Sequence, residues 1–126
     1  MNCPFVIETI MDANSIALVE LVKSFNSPFV RLSIDTGHVT IMERMGGAPP
    51  DQWVMDADDL LGHVHLQDTD GHGDRHWGIG EGGINWYAFF KALRLTRANP
   101  RLILELTDID DIMPSMQWLT AHGLAR

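Results

Sequence analysis

Four short apolar runs constrain this chain more than any other feature, because each carries at or near its end a residue able to bind a metal or move a proton. They span residues 4–8, 30–35, 62–66 and 102–106, and they carry Glu8, Asp35, His65 and Glu105 in turn. Three of them lack strict apolar/polar alternation, which fits strands buried on both faces of a parallel sheet. Helical periodicity fills the gaps. Residues 15–25 set Ile16, Val19, Val22 and Phe25 on one stripe, and residues 86–95 do the same with Trp86, Phe89, Phe90 and Leu93. A shorter pattern over 39–45 stops at Gly46-Gly47, and Pro49-Pro50 opens a further piece reaching Leu60. Asp111 is placed to cap a last helix holding Met113, Met116 and Leu119, with Pro114 in its first turn. The order predicts four βα units in one domain, residues 1–126, without linker or low-complexity tract.

Alternating βα units fold as an open doubly wound sheet or as a barrel. In both, sites gather at the carboxyl ends of the strands. One carboxylate after a strand is ordinarily a loop residue or a helix cap. Four successive strands presenting Glu, Asp, His and Glu point to a site. Three carboxylates and one imidazole suit Mn²⁺, Mg²⁺ or Co²⁺ better than structural Zn²⁺, which favours Cys and His. Such a metal leaves room for two substrate oxygens and stabilises an enediolate. Glu8 and Glu105 are then the candidate acid/base pair.

Smaller motifs surround this set. Asp35-Thr36-Gly37-His38 reads either as a turn, with Gly37 at positive φ and His38 exposed, or as a second titratable group beside Asp35. His63 and His65 share a strand face, while Asp68 and Asp70 read as members of the following loop. Asp74-Arg75-His76 offers an Asp-x-His pair for a second metal and a guanidinium for a phosphate or sugar hydroxyl. The run 78–83 matches G-x-G-x-x-G, but no apolar strand precedes it, so a dinucleotide fold is not predicted. It reads as a turn whose amides are free to hold an anion. Met113, Met116 and the tryptophans read as core, except Trp77, placed to line a substrate pocket.

Hydrophobic residues make up 45% and charged residues 21% of the 126, a globular balance. The formal charge of −8 argues against nucleic acid as a partner, since phosphate neutralisation needs a basic face. No apolar stretch is long enough for a membrane span. The amino-terminal residues show no secretory signal and Cys3 is the sole cysteine, so a reduced, cytoplasmic setting is expected.

The segments Val6-Ile7-Glu8-Thr9, Ile34-Asp35-Thr36-Gly37-His38, His63-Val64-His65-Leu66-Gln67-Asp68, Asp74-Arg75-His76 with the glycines 78–82, and Leu102-Ile103-Leu104-Glu105 together carry a resemblance. In this order and spacing the chain resembles the sugar phosphate isomerase/epimerase superfamily, the xylose isomerase-like TIM barrels that also include the apurinic endonucleases. The resemblance implies that Glu8, Asp35, His65 and Glu105 ligate a divalent metal (Mn, Mg, Co or Zn), with Glu8 and Glu105 also acting as acid and base. It implies that His38 contacts substrate, with Arg75 and Trp77 as further candidates, and that Asp74 and His76 serve a second metal or the substrate. The expected activity is isomerisation or epimerisation of a small sugar or sugar phosphate, or a related dehydration.

The chain falls short of the roughly 250 residues of such barrels and resembles only their C-terminal half. The fold expected is therefore a partial α/β barrel of about four βα units with uncovered edges and an apolar inner face. Completion as a homo-oligomer or by a complementing N-terminal half is expected for activity. The alternatives are a catalytically incompetent half-barrel and, further off, an endonuclease-like phosphodiesterase that would lack its N-terminal histidines.

Overall fold

The computed structural model describes residues 3–125. Nine principal elements alternate as β1 (Phe5–Glu8), α1 (Ser15–Ser24), β2 (Val30–Asp35), α2 (Thr36–Arg44), α3 (Pro50–Ala57), β3 (Leu61–Leu66), α4 (Trp86–Leu95), β4 (Arg101–Leu104) and α5 (Ile112–Ala121). The four strands pair in sequence order and all run parallel. Parallel pairing needs a crossover between strands, and the helices supply it. Asn14 caps α1 through the Ile16 amide, and Pro50 starts α3 where its missing N–H costs nothing. No helix among the described residues is long and apolar enough to cross a membrane.

The core lies on one face of the sheet only. Leu32, Ile34, Leu61 and Val64 are fully buried there, in one cluster with Val19 and Val22 of α1, Trp53 and Val54 of α3 and Phe89 of α4. Large rings carry much of it, since each buried aromatic removes 150–250 Å² from water, worth roughly 4–6 kcal/mol. Buried Trp53 and Trp86 thus join the core as expected.

Paired residues on parallel neighbours point the same way, so the register defines the other face. It carries Val6 and Glu8, Arg31, Ser33 and Asp35, His63 and His65, and Arg101 and Ile103. This is the concave side of a barrel wall. It is polar, not the apolar surface the sequence predicts, because the apolar residues of β2 and β3 point to the helices. The edges are uncovered as expected: Phe5 is 76% exposed, and Val6, Leu102 and Ile103 remain open.

Three helix expectations need correction. The buried stripe of α1 is Ser15, Leu18, Val19 and Val22, whereas Ile16 and Phe25 face outward. Helix α2 starts at Thr36, three residues early, because Asp35 caps it directly from the end of β2. In α5 only Leu119 of the three apolar residues is buried, Met113 being 63% exposed. Asp111 makes no side-chain cap; Asp108 instead caps a short 3₁₀ turn, Ile109–Asp111, that precedes the helix.

Candidate metal centre

Four carboxyl-end positions converge. Asp35 is fully buried, and its Oδ1 accepts from the Gly37 and His38 amides at 2.8 and 3.0 Å. A carboxylate at a helix N-terminus suits the dipole, and its cap bonds lock the side chain toward the site. The cap reading of Asp35 is met by its Oδ1. Its Oδ2 lies 4.0 Å from His65 Nδ1, which also faces Glu8 Oε2 at 3.4 Å and Glu105 Oε2 at 3.1 Å.

That imidazole nitrogen is buried and makes no hydrogen bond. Glu105 is near enough in distance but is not aligned to accept. A buried ring nitrogen aimed among three carboxylates fits a cation, which would satisfy the nitrogen and offset the crowded negative charge. One donor atom each from Asp35, His65 and Glu105 falls within 4.8 Å of the others, and the same holds for Glu8, Asp35 and His38. Oxygen and nitrogen ligands held about 2.0–2.2 Å from one ion are spaced on this scale.

A second group adjoins the first. His38 Nδ1 lies 2.9 Å from the Thr9 carbonyl and His76 Nδ1 lies 3.0 Å from the Glu105 carbonyl. Carbonyls only accept, so both rings carry their proton on Nδ1 and turn Nε2 inward. Both Nε2 atoms meet the same Asp74 Oδ2, at 3.3 and 3.2 Å. Burial pulls both histidines down, but for His38 the charge of Asp35, the Thr9 carbonyl and Asp74 outweigh it. For His76 the Glu105 carbonyl and Asp74 do the same, so both end above the usual imidazole value. Burial pushes Asp74 up, and the Gln67 amide with the two histidines holds it below the usual carboxylate range. His63, beneath the ligands, is lowered by burial and by His65 and Arg101.

Gln67 joins the two groups and is a residue that sequence reasoning quotes without a role. It is fully buried, its Nε2 reaching Asp35 Oδ1 at 3.1 Å and Asp74 Oδ1 at 2.7 Å, while its Oε1 accepts from the His76 amide at 2.8 Å. Its spacing of two from His65 was the available signal. Gly37 is explained by the same contact. It sits in the first turn of α2 and not in a left-handed turn, and a Cβ there would meet the Gln67 amide at 2.5–2.8 Å. His38 is accordingly half-buried, not exposed.

Arg75 and Trp77 stand apart from this cluster. The Arg75 guanidinium pairs with Asp70 at 3.3 Å and lies 5.7 Å from the Trp77 ring centre. Among the described residues, neither side chain bonds to the clustered groups. The glycine-rich run is no free anion cradle. The Gly78 amide donates to Glu81, Ile79 to Ser115, Gly80 to Asp68 and Gly83 to the Thr69 carbonyl. Asp68 lies in the loop after β3, as read from sequence, and is a buried hub under that run.

The chain is similar to known proteins in sequence and in fold. An uncharacterized protein of Methanocaldococcus jannaschii is 27% identical over 109 residues, 84% of this chain and 36% of its own. The crystal structure of a D-tagatose 3-epimerase-like protein superposes with a TM-score of 0.80 at 24% identity, over 95% of this chain and 46% of its own. A Thermus thermophilus protein soaked with ZnCl₂ gives a TM-score of 0.69 at 25% identity, over 96% of this chain and 45% of its own. The chain thus spans less than half the length of these proteins, and its four parallel strands are part of a barrel. Residues 2–122 match the xylose isomerase-like TIM barrel model, and the chain belongs to that family.

Proposed function

We propose that this chain is the ligand-bearing half of a divalent-metal-dependent sugar isomerase or epimerase. The observation that carries the reading is the buried, unbonded Nδ1 of His65 facing Glu8, Asp35 and Glu105. A bound Mn²⁺, Mg²⁺, Co²⁺ or Zn²⁺ supplies a Lewis acid for two adjacent oxygens of a small sugar or sugar phosphate. Glu8 and Glu105 reach the site from opposite edges of the sheet, so one removes the proton beside the carbonyl and the other returns it. Return to the same carbon from the opposite face gives epimerisation, and return to the neighbouring carbon gives isomerisation. Loss of a hydroxyl from the same enediolate gives the dehydratase variant.

Glu8, Asp35, His65 and Glu105 are the ligands, with Asp35 held by its helix cap and by Gln67; His38 and His76 with Asp74 hold substrate hydroxyls or a second cation, and Arg75 and Trp77 flank the entrance. Activity requires four more βα units, because the chain brings one wall of the barrel. A second reading follows from the chain's share of its relatives, under half of each: a half-barrel that binds metal without turnover.

Metal analysis after growth with Mn²⁺, Co²⁺ and Zn²⁺ tests the site. One equivalent is expected in the wild type and its loss in Glu105→Gln and His65→Ala; a metal-free wild type refutes the ligand set. Deuterium uptake from solvent into a panel of ketoses, measured on the chain assembled into a closed barrel, tests the chemistry, and metal without uptake in that assembly selects the second reading.

A further inference from the structure

One fully buried carboxamide touches both groups at the carboxyl ends. Gln67 Nε2 faces Asp74 Oδ1 at 2.7 Å and the two oxygens of Asp35 at 3.1 and 3.3 Å. An NH₂ carries two protons, so each carboxylate takes one. At the other end Oε1 accepts from the His76 amide. His76 has φ +51°, a left-handed backbone that side chains other than glycine seldom adopt. Three bonds hold it there: Gln67 on its amide, the Thr107 amide on its carbonyl at 3.0 Å, and the Glu105 carbonyl on its ring. The Gln67 main chain is clamped as well, since its N–H and C=O both meet Thr36 Oγ1, at 3.0 and 2.8 Å. Gly37 supplies the room for the amide. It lies in the first turn of α2, where any residue fits the backbone, yet a Cβ there would stand 2.5–2.8 Å from the three end atoms of Gln67.

We infer that Gln67 is a positioning residue that couples the proposed metal centre to the Asp74–His76 pair, and that Gly37 is bare in order to admit it. The inference rests on the reading that Glu8, Asp35, His65 and Glu105 hold a cation. A neutral donor bonded to two carboxylates lets both stay ionised side by side in a buried place. Its rigid plane then passes any movement of Asp35 to the His76 amide. Asp35 fixed on a cation fixes the carboxamide, and the carboxamide fixes the left-handed turn at His76. By linkage, whatever fixes Asp74 and His76 raises the affinity for the cation by the same factor.

Gly37→Ala tests this without touching either group. Alanine suits a helix better than glycine, so its Cβ harms the site only by displacing the Gln67 amide. Gln67→Ala removes the amide and the collision together. Zn²⁺ affinity is measured by titration calorimetry for the wild type, both single variants and the double variant, with circular dichroism checking each fold. Each single change should weaken binding at least tenfold, and the double no further than Gln67→Ala alone. Hydrogen exchange at the His76 amide, followed by NMR, reads the coupling itself. Saturating Zn²⁺ should slow it at least tenfold in the wild type and leave it unchanged in Gly37→Ala. A Gln67 that only filled space would not make the His76 amide answer to zinc. Wild-type affinity in Gly37→Ala, losses that multiply in the double variant, or wild-type exchange indifferent to Zn²⁺ would each overturn the inference. Should Gln67→Ala not fold, Gly37→Ala and the wild-type exchange decide. A wild type that binds no zinc strikes the proposed function and this inference together, whereas zinc bound without coupling strikes the inference alone.

Discussion

Asp68→Asn changes one oxygen for one nitrogen and removes the junction that fixes the glycine-rich run. The Asp68 side chain is fully buried and accepts four hydrogen bonds. Oδ1 takes those of the Thr69 and Ile84 amides at 2.9 and 3.2 Å; Oδ2 takes those of the Gly80 amide and the Trp86 indole, both at 2.9 Å. Asparagine keeps one acceptor oxygen and sets an NH₂ against the other two donors. Two bonds to a carboxylate are lost, at roughly 1.5–3 kcal/mol each, and the donors stay buried, for a total of about 4 kcal/mol. That is a large part of the 5–15 kcal/mol that holds a typical domain together. Urea unfolding followed by tryptophan fluorescence measures it. With a slope of about 2 kcal/mol/M, the midpoint should fall by about 2 M. Trp86→Phe removes one of the four donors, leaves Oδ2 bonded to Gly80 and opens a small cavity in the core, so its loss should be about 2 kcal/mol. A midpoint shift for Asp68→Asn no larger than that of Trp86→Phe, at unchanged slope, would refute the hub.

Other expectations follow from single contacts. Gly80 sits at φ +92° with its α-carbon against the Trp118 indole, so Gly80→Ala should cost about 2 kcal/mol in the same assay. Gly46→Ala, at φ +95° in open space, should cost only the backbone part, about 1 kcal/mol; equal losses would mean that Trp118 yields freely. Added metal at 100 times its dissociation constant should stabilise the fold by about 2.7 kcal/mol, a melting shift of about 10 °C. Glu105→Gln should abolish that shift in a thermal scan, and its persistence would place the ion elsewhere. Hydrogen bonds from the Arg97 side chain and amide hold Asp58 below the usual carboxylate range. The pair's stabilisation is therefore present above the ordinary carboxylate pKa and fades as pH falls through the lower folded value. A carboxyl NMR titration should show Asp58 moving part of the way back toward the ordinary range in Arg97→Ala, since the backbone amide bond remains, and no movement would dismiss the ion pair.

The parts of this molecule legible in its sequence are those fixed by local chemistry repeated along the chain. Each strand carries at or just past its end a residue able to bind a metal or move a proton, so Glu8, Asp35, His65 and Glu105 stand out without knowledge of their neighbours. The alternation of apolar runs and helical stripes gives the parallel order for the same reason. What stayed hidden depends on partners far apart in sequence. Gln67 matters through Asp35 and Asp74, 32 and 7 residues away. Asp68 is a hub only because the chain returns to it at Gly80, Ile84 and Trp86. Ile16 and Phe25 fit a helical stripe as well as Leu18 does, and only the direction of the sheet decides which residues face it.

The polarity of the concave face shows why that direction matters for assembly. A strand buried on both faces and a strand buried on one are alike in sequence if the second face is to meet a partner. In β2 the apolar residues Leu32 and Ile34 alternate with Arg31, Ser33 and Asp35, so one face packs on helices while the other presents hydrogen-bonding and charged groups. On that polar face Ser33 is buried and bonded to His63, one layer below the clustered side chains. The same alternation that carries Asp35 to the carboxyl end of β2 carries Arg31 to its start, four positions earlier on the same face. The meeting of Asp35 with His65 is thus set by one register, and a one-residue slip of β2 against β3 would turn Asp35 to the helix face.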